Sequence, residues 1–376
     1  MSSPKFPFQL PEVSKQLFML AANPSSIENI TFDPKIISAT FIKQTVLSHL
    51  SGFAYRNLSP VKENVDPKLC KQLELQYVQV LQGNHQFLNL HQQMVQLLEA
   101  NKIQFAVLKG LDLLFRTYRE EGIRHISDID LLILPEDLQK VTDLFKANGF
   151  KCTLKFPISK FYEKHIPNHA PLQASFNGLN IDVHVFVLNK KSQSNFSTEN
   201  LILSRDKIFW NNQYTYVLEK KNSALFVILH LHKHIDHGNA IKMSSFIDVQ
   251  KTISALDYPN NKAQYPKHIQ TKIEYVIDCM VWLGLLEHDF LPQRKKAPAR
   301  YFFYLLFFLQ AIQPTFGQTL RYKFFPRLFL YPFSWKTLPL LFHEVFPSKR
   351  YLLYGAPNSS YLGAWWKRLK HFTRKK

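Results

Sequence analysis

Cysteine is scarce in this 376-residue chain: Cys70, Cys152 and Cys279 lie far apart, with no CxxC or CxxxH spacing. That scarcity argues against a disulfide framework and a thiolate zinc site, and it fits a reducing compartment. Long apolar runs are missing as well. The longest, Tyr301 to Leu309, has nine residues, where a bilayer-spanning helix needs about 20, so no transmembrane anchor is expected. The opening MSSPKFPFQLPEVSKQ has prolines and charges where a signal peptide has its apolar core, and a cytoplasmic location is the expectation. Acidic residues all but vanish toward the end: from Arg294 onward, Glu344 stands alone against 16 Lys and Arg, so +15 of the net charge of +19 belongs to that stretch. Such a tail can contact nucleic acid, attract anionic lipid, help a nucleoside triphosphate approach, or simply remain solvated, and composition does not choose among these.

What is present is globular. The chain is 46% hydrophobic, 14% aromatic and 20% charged, a balance that excludes wholesale disorder and collagen-like or low-complexity architecture. Its length suggests two or three units. Residues 1–65, punctuated by Pro4, Pro7, Pro11, Pro24, Pro34 and Pro60, read as an irregular and short-helical extension. A long helical pattern runs from Asp66 and Pro67 to Ala100 and Asn101, with Leu69, Leu73, Val78, Leu81, Phe87, Leu90, Met94 and Leu97 as its apolar positions. QFAVLKG (104–110) reads as strand, tight turn and helix start. SDIDLLIL (127–134), FKCTLKF (150–156) and NIDVHVFVL (180–188) read as further strands, with a helix over PEDLQKVTDLFKANG and a proline-bearing loop between the last two strands. Residues 66–190 are thus a small mixed α/β core behind a long helix. Residues 191–376 read as a mostly helical, basic, aromatic-rich domain, with helices over Ser223–Asp236, Met243–Leu256 and Lys272–Leu286.

Residues two apart on a strand face the same way, so Asp128 and Asp130 project together while Ile129 and Leu131 pack behind them. Two ionised carboxylates at one site call for a cation, and hard divalent ions prefer such oxygen ligands. Asp182, on a strongly patterned strand, is the third candidate; three carboxylates suffice for a two-metal centre. Surface acids at a strand end remain the plain alternative. Upstream, Lys109 and Gly110 stand where a strand feeds a helix, a turn suited to hold an anion, and Arg124 offers a fork for phosphate. Together these are the parts that handle a Mg²⁺-triphosphate.

VLKGLDLLFRTYREEGIRHISDIDLLI resembles the signature of the uncharacterised nucleotidyltransferase family related to the polymerase-β-like superfamily: a Lys-Gly turn, a helix with a Tyr, an Arg, then DxDLL. NIDVHVF, ALFVILHLHKHIDHGNAIKMSSFIDVQ and VFPSKRYLLYG are similar to later segments of that family. The resemblance implies an α+β fold with a small mixed-sheet nucleotidyltransferase core and a mostly helical C-terminal domain. It implies transfer of a nucleoside monophosphate from an NTP, such as ATP, to an acceptor hydroxyl with release of pyrophosphate. Asp128 and Asp130 would be metal ligands for Mg²⁺, with Mn²⁺ as a substitute, and Asp182 a third ligand or general base. Lys109, Gly110 and Arg124 would contact the nucleotide. Lys109 departs from the superfamily's usual Gly-Gly or Gly-Ser at the turn. The acceptor is open: a protein, an RNA end, a sugar or a small metabolite. A different class also fits, a catalytically inactive protein binding nucleotide, nucleic acid or membrane through the basic C-terminus.

Two features stand outside that signature. His230, His232, His234 and His237 crowd one helix; the i,i+4 pair His230 and His234 has Zn²⁺-ligand spacing, but no Glu follows His230 as HExxH requires. Asp248 reads as a structural partner of those histidines or of a lysine. The C-terminal aromatics, closing with WWKRLKHFTRKK, read as core and interface or as a base-stacking surface.

Overall fold

The computed structural model describes residues 39–64, 66–154, 170–187, 196–237, 241–287 and 289–298, together with 301–302, 305 and 360–366. Most of the aromatic stretch from Tyr301 to Phe346, the VFPSKRYLLYG segment and most of the basic tail lie outside them. Two short helices, α1 (Ala39–Leu47) and α2 (Ser51–Leu58), precede the long α3 (Pro67–Ala100). α3 starts where the sequence says it must: Asp66 caps it, its carboxylate accepting from Lys68 N at 2.8 Å, and Pro67 takes the first helical position, which needs no N–H.

A seven-stranded mixed sheet follows. Its strands are β1 (Phe105–Leu108), β2 (Ile129–Ile133), β3 (Lys151–Leu154), β4 (Leu172–Phe176), β5 (Leu179–His184), β6 (Asp206–Trp210) and β7 (Gln213–Val217), in the order β3-β4-β5-β2-β1-β7-β6. Helix α4 (Lys109–Leu113) leaves β1 directly and runs into a π turn at Leu114–Tyr118; α5 (Leu138–Ala147) links β2 to β3; α6 (Thr198–Leu203) precedes β6. The helical part comprises α7 (Lys220–His237), α8 (Ser244–Thr252), α9 (Tyr258–Asn261) and α10 (Lys267–Trp282). The fold is α+β, as the strand and helix patterns imply.

The expectation that strands end near residue 188 is corrected here, because β6 and β7 add a hairpin to the sheet, β7 lying parallel to β1. The hairpin turns on Asn211 and Asn212 at φ 48° and 57°, the left-handed pair that a two-residue turn needs and that asparagine tolerates. β4 stands where the prolines imply a loop: its short polar-apolar alternation follows Pro167 and Pro171 and is placed only by pairing with β3 and β5.

Two large cores and a smaller one carry the stability. One lies under the sheet and takes Phe87, Leu98, Phe105, Val107, Phe115, Ile129, Leu131, Ile133, Phe145, Ile181 and Val183. The other joins the helices through Phe41, Leu50, Phe53, Ile228, Ile247, Ile273, Ile277 and Met280. Period-two alternation therefore leaves Asp130 and Leu132 on the opposite face of β2, where Leu132 packs with Ala106, Leu108, Leu201 and Phe226. That face holds the site.

The α2 helix is seated on the loop that leads into β2. A Cβ on Gly52 would fall inside the backbone oxygens of Gly122 and Ile123, neither of which can swing aside, whereas Gly83 in mid-α3 has open space around it. Gly52→Ala is expected to cost about 3 kcal/mol by forcing these segments apart. Gly83→Ala is expected to gain about 1 kcal/mol from helix propensity alone. Urea denaturation of the two variants checks the contrast.

Candidate active site

Strand register brings the carboxylates together. β2 and β5 are parallel neighbours with Asp130 opposite Asp182 and Leu132 opposite His184, so these side chains rise from one face of the sheet. Oxygen atoms of Asp130 and Asp182 and a ring nitrogen of His184 all lie within 4.8 Å of one another. On the other side of β2, antiparallel β1 sets Leu108 opposite Asp130, which delivers the next residue, Lys109, to the same place. Lys109 Nζ donates to Asp130 Oδ1 at 2.6 Å, and His184 Nε2 donates to the same oxygen at 2.9 Å. Burial by itself would raise the Asp130 carboxyl; the Lys109 ammonium and the His184 hydrogen bond override it and hold the group well below the usual carboxylate range.

Lys109 has φ 51°, a left-handed conformation that glycine adopts freely and lysine only at a cost. This chain accepts strain at the turn to put an ammonium on Asp130. Gly110 is needed for a different reason: a Cβ there would come within 2.9 Å of Arg124 Nη1.

Asp128 sits just before β2, half-buried, accepting from Ser127 Oγ at 2.8 Å. Desolvation and then the neighbouring Asp130 charge raise its pKa, against the pull of Ser127, Lys109 and Lys242. Asp182 is steadied by Gln173 Nε2, which donates to Oδ1 at 2.8 Å from β4. All six residues singled out in the sequence, Lys109, Gly110, Arg124, Asp128, Asp130 and Asp182, line one cavity of about 340 Å³.

Arg124 is placed differently from expectation in one respect. Its Nε and Nη2 donate to the two oxygens of Asp248 at 2.9 and 2.8 Å, and Tyr118 OH donates to the same carboxylate at 2.8 Å. Burial would lower the Arg124 pKa, but Asp248 raises it above the ordinary arginine value. Asp248 is therefore the partner of Arg124, not of the histidines or a lysine: α8 carries it onto the loop before β2, a contact 124 residues long in sequence.

Other members of the site are brought there by long-range packing, although the His230 and His234 pair is visible in the sequence by its i,i+4 spacing. Asn84, buried on α3, clamps the approach to β2: its amide nitrogen donates to Arg124 O at 2.7 Å and its oxygen accepts from Ile126 N at 2.9 Å. His184, Lys233 and Lys242 also line the cavity, as do His230 and His234. The Nε2 atoms of His230 and His234 are 3.0 Å apart, so one ring donates to the other. Burial, with Lys109 and His234 adding to it, pushes the His230 pKa well below the ordinary histidine value, which leaves the ring neutral. Near the rim, His49 and His125 share a similar 3.0 Å contact; burial and Lys242 press His49 down to about 3.

The donor set fits a hard divalent cation: two carboxylates and an imidazole converge, and a cationic nitrogen already rests on Asp130, while Asp128, expected as a ligand, lines the cavity but lies outside that cluster because β2 begins one residue after it. Among the described residues no helix is long and apolar enough to cross a membrane.

A family model described as an uncharacterised nucleotidyltransferase matches residues 37–284, about two thirds of the chain. Among solved structures, a crystal structure of ANT(2")-Ia in complex with adenylyl-2"-tobramycin aligns at 8% identity and a TM-score of 0.32, over 48% of this chain and 99% of that one. No curated protein matches.

Proposed function

From the premise that the chain belongs to the uncharacterised nucleotidyltransferase family, and is thus an enzyme that transfers a nucleoside monophosphate, we propose the chemistry of its site. The donor is an NTP bound with Mg²⁺, the acceptor group is a hydroxyl, and pyrophosphate is the leaving group. The observation that carries this reading is the convergence of Asp130, Asp182 and His184 on one face of adjacent parallel strands, beside the Lys109–Gly110 turn.

Asp130 and Asp182 would hold the cation, with Asp128 completing the set. When bound, the cation neutralises charge on the triphosphate and polarises the phosphorus under attack. His184 fixes the Asp130 carboxylate by its 2.9 Å hydrogen bond, and Gln173 fixes Asp182 by one at 2.8 Å, so neither acid pivots as charge builds up. Lys109, which rests on Asp130 at 2.6 Å, has an ammonium within reach of a phosphate oxygen bound at the same turn. Gly110 admits the phosphates close to the backbone, and Arg124 stands behind that turn, held by Asp248. The acceptor oxygen attacks the α-phosphorus, the bond to the β-phosphate breaks with its electron pair on pyrophosphate, and the acceptor proton passes to a carboxylate of the trio that faces the acceptor.

The test is thermal unfolding with ATP, GTP, CTP and UTP, each with and without Mg²⁺. A nucleotide at about 100 times its Kd contributes roughly 2.7 kcal/mol, a rise of a few degrees in Tm. The expected outcome is a rise with one nucleotide that requires Mg²⁺. No rise with any nucleotide, with the metal present, refutes this reading.

A further inference from the structure

The cavity's charges are not evenly matched. Four cations line it, Lys109, Arg124, Lys233 and Lys242, and four carboxylates, Asp128, Asp130, Asp182 and Asp248. Two ion pairs account for half of them: Lys109 with Asp130 at 2.6 Å, and Arg124 with Asp248 at 2.8 Å. The remaining carboxylates meet only neutral groups at hydrogen-bond distance, Asp128 the Ser127 hydroxyl and Asp182 the Gln173 amide. Among the described residues Lys233 has no hydrogen-bond or ion-pair partner, and Lys242 donates only to Ser127 Oγ, at 2.9 Å.

An ammonium withdrawn from water without a counter-charge is costly unless a ligand supplies one. Lys233, half-buried, is in that position; Lys242 keeps contact with solvent and has the longer-range pull of Asp128. Burial lowers the pKa of each; Lys109 presses further on Lys233, while Asp128 pulls the other way on Lys242. They also flank the carboxylates from two sides: Lys233 from α7, one turn from His230, and Lys242 from the segment leading into α8. A smaller recess continues the cavity past Lys109, His184, His230 and Lys233 toward Phe186 and Phe226. Carboxylates and ammoniums that lack a direct ion-pair contact are what a metal-bound polyphosphate satisfies at once.

We propose that Lys233 and Lys242, and not the Arg124 fork, are the residues that bind the polyphosphate of the nucleotide, with Lys233 on the His230 wall and Lys242 on the Ser127 wall. The inference rests on the nucleotidyltransferase reading above and adds to it the phosphate-holding side chains. Lys109 joins them only by leaving Asp130, so in the absence of a metal Lys233 and Lys242 are the two ammoniums ready for an anion.

The test is calorimetric binding of inorganic tripolyphosphate without metal, and of ATP with Mg²⁺, to the full chain and its variants. Lys233→Met and Lys242→Met are each expected to weaken both ligands about ten- to a hundred-fold, the scale of one charge-assisted hydrogen bond. Lys233→Arg restores most of the affinity, and Lys207→Met on the distant β6–β7 hairpin changes nothing. Lys233→Met is also expected to unfold at the same urea concentration as wild type or a higher one, since it removes an unmatched buried charge, whereas a structural lysine would lower that midpoint. Tripolyphosphate and Mg²⁺-ATP binding to Lys233→Met with wild-type affinity overturns the inference and leaves the nucleotidyltransferase reading standing. Wild type that binds Mg²⁺-ATP but no tripolyphosphate does the same. Wild type that binds neither overturns the nucleotidyltransferase reading itself, and the inference falls with it.

Discussion

Asp130→Asn is expected to lower nucleotidyl transfer by on the order of a thousand-fold, about 4 kcal/mol of transition-state stabilisation. A single carboxylate oxygen, Oδ1, collects both the Lys109 ammonium and the His184 N–H, in a side chain only 3% exposed. An amide keeps the shape and one acceptor but loses the charge that holds both Lys109 and a divalent cation. The same change bears on stability. The folded carboxyl titrates well below its ordinary value, so its contribution is fully present above the ordinary carboxylate pKa and is lost as pH falls through the depressed one. The amide forfeits that contribution at neutral pH. Because the Lys109 side chain is 19% exposed and can turn toward water, the loss is nearer 2 kcal/mol than the ~3–5 kcal/mol of a fully trapped charge. Incorporation of α-labelled nucleotide into acceptor and urea denaturation measure the two effects separately. A variant with normal transfer would remove Asp130 from the mechanism.

Breaking the Arg124–Asp248 pair has the largest expected effect on folding. The guanidinium is clamped by both carboxylate oxygens, Tyr118 closes the third side, and the two side chains are 13% and 4% exposed. Arg124→Met leaves Asp248 buried with only Tyr118, and Asp248→Leu leaves the guanidinium with only the His125 carbonyl at 3.3 Å. Each single change is expected to cost about 3–5 kcal/mol, because what remains is an uncompensated buried charge. The double variant Arg124→Met with Asp248→Leu removes both charges and is expected to be more stable than either single one. The double-mutant cycle then returns a coupling of about 2–3 kcal/mol. Additive losses would show that the pair is not what fastens α8 to the approach of β2.

The carboxylate motif was legible because it is local: SDIDLLI has a strand's alternation, and a DxD on a strand has one geometric meaning. Asp182 was legible for the same reason, since IDVHV is patterned strongly enough to be a central strand. What stayed hidden is long-range. No local pattern says that Asp248 closes on Arg124, that Asn84 on α3 holds the loop before β2, or that Lys233 and Lys242 converge from separate segments. His184 was visible as a residue but not as a member of the site, because its membership depends on the β2–β5 register. The β6–β7 hairpin was lost among helical segments. Its Asn-Asn turn is a legible signal, but pairing with β1 is what makes a strand of so short a run.

The strand order has a consequence for how the enzyme breathes. β2 and β5 sit side by side in the interior of the sheet, with β1 and β7 and then β6 beyond on one side, and β4 and then β3 on the other. Local opening begins at edges, where a strand has one neighbour and little buried apolar contact. Fraying of β3 or β6 is therefore expected to leave Asp130 and Asp182 undisturbed, with their amides among the slowest of the sheet to exchange. The spacing of the two acids is thus set by interior strands, with the edges of the sheet two or more strands away.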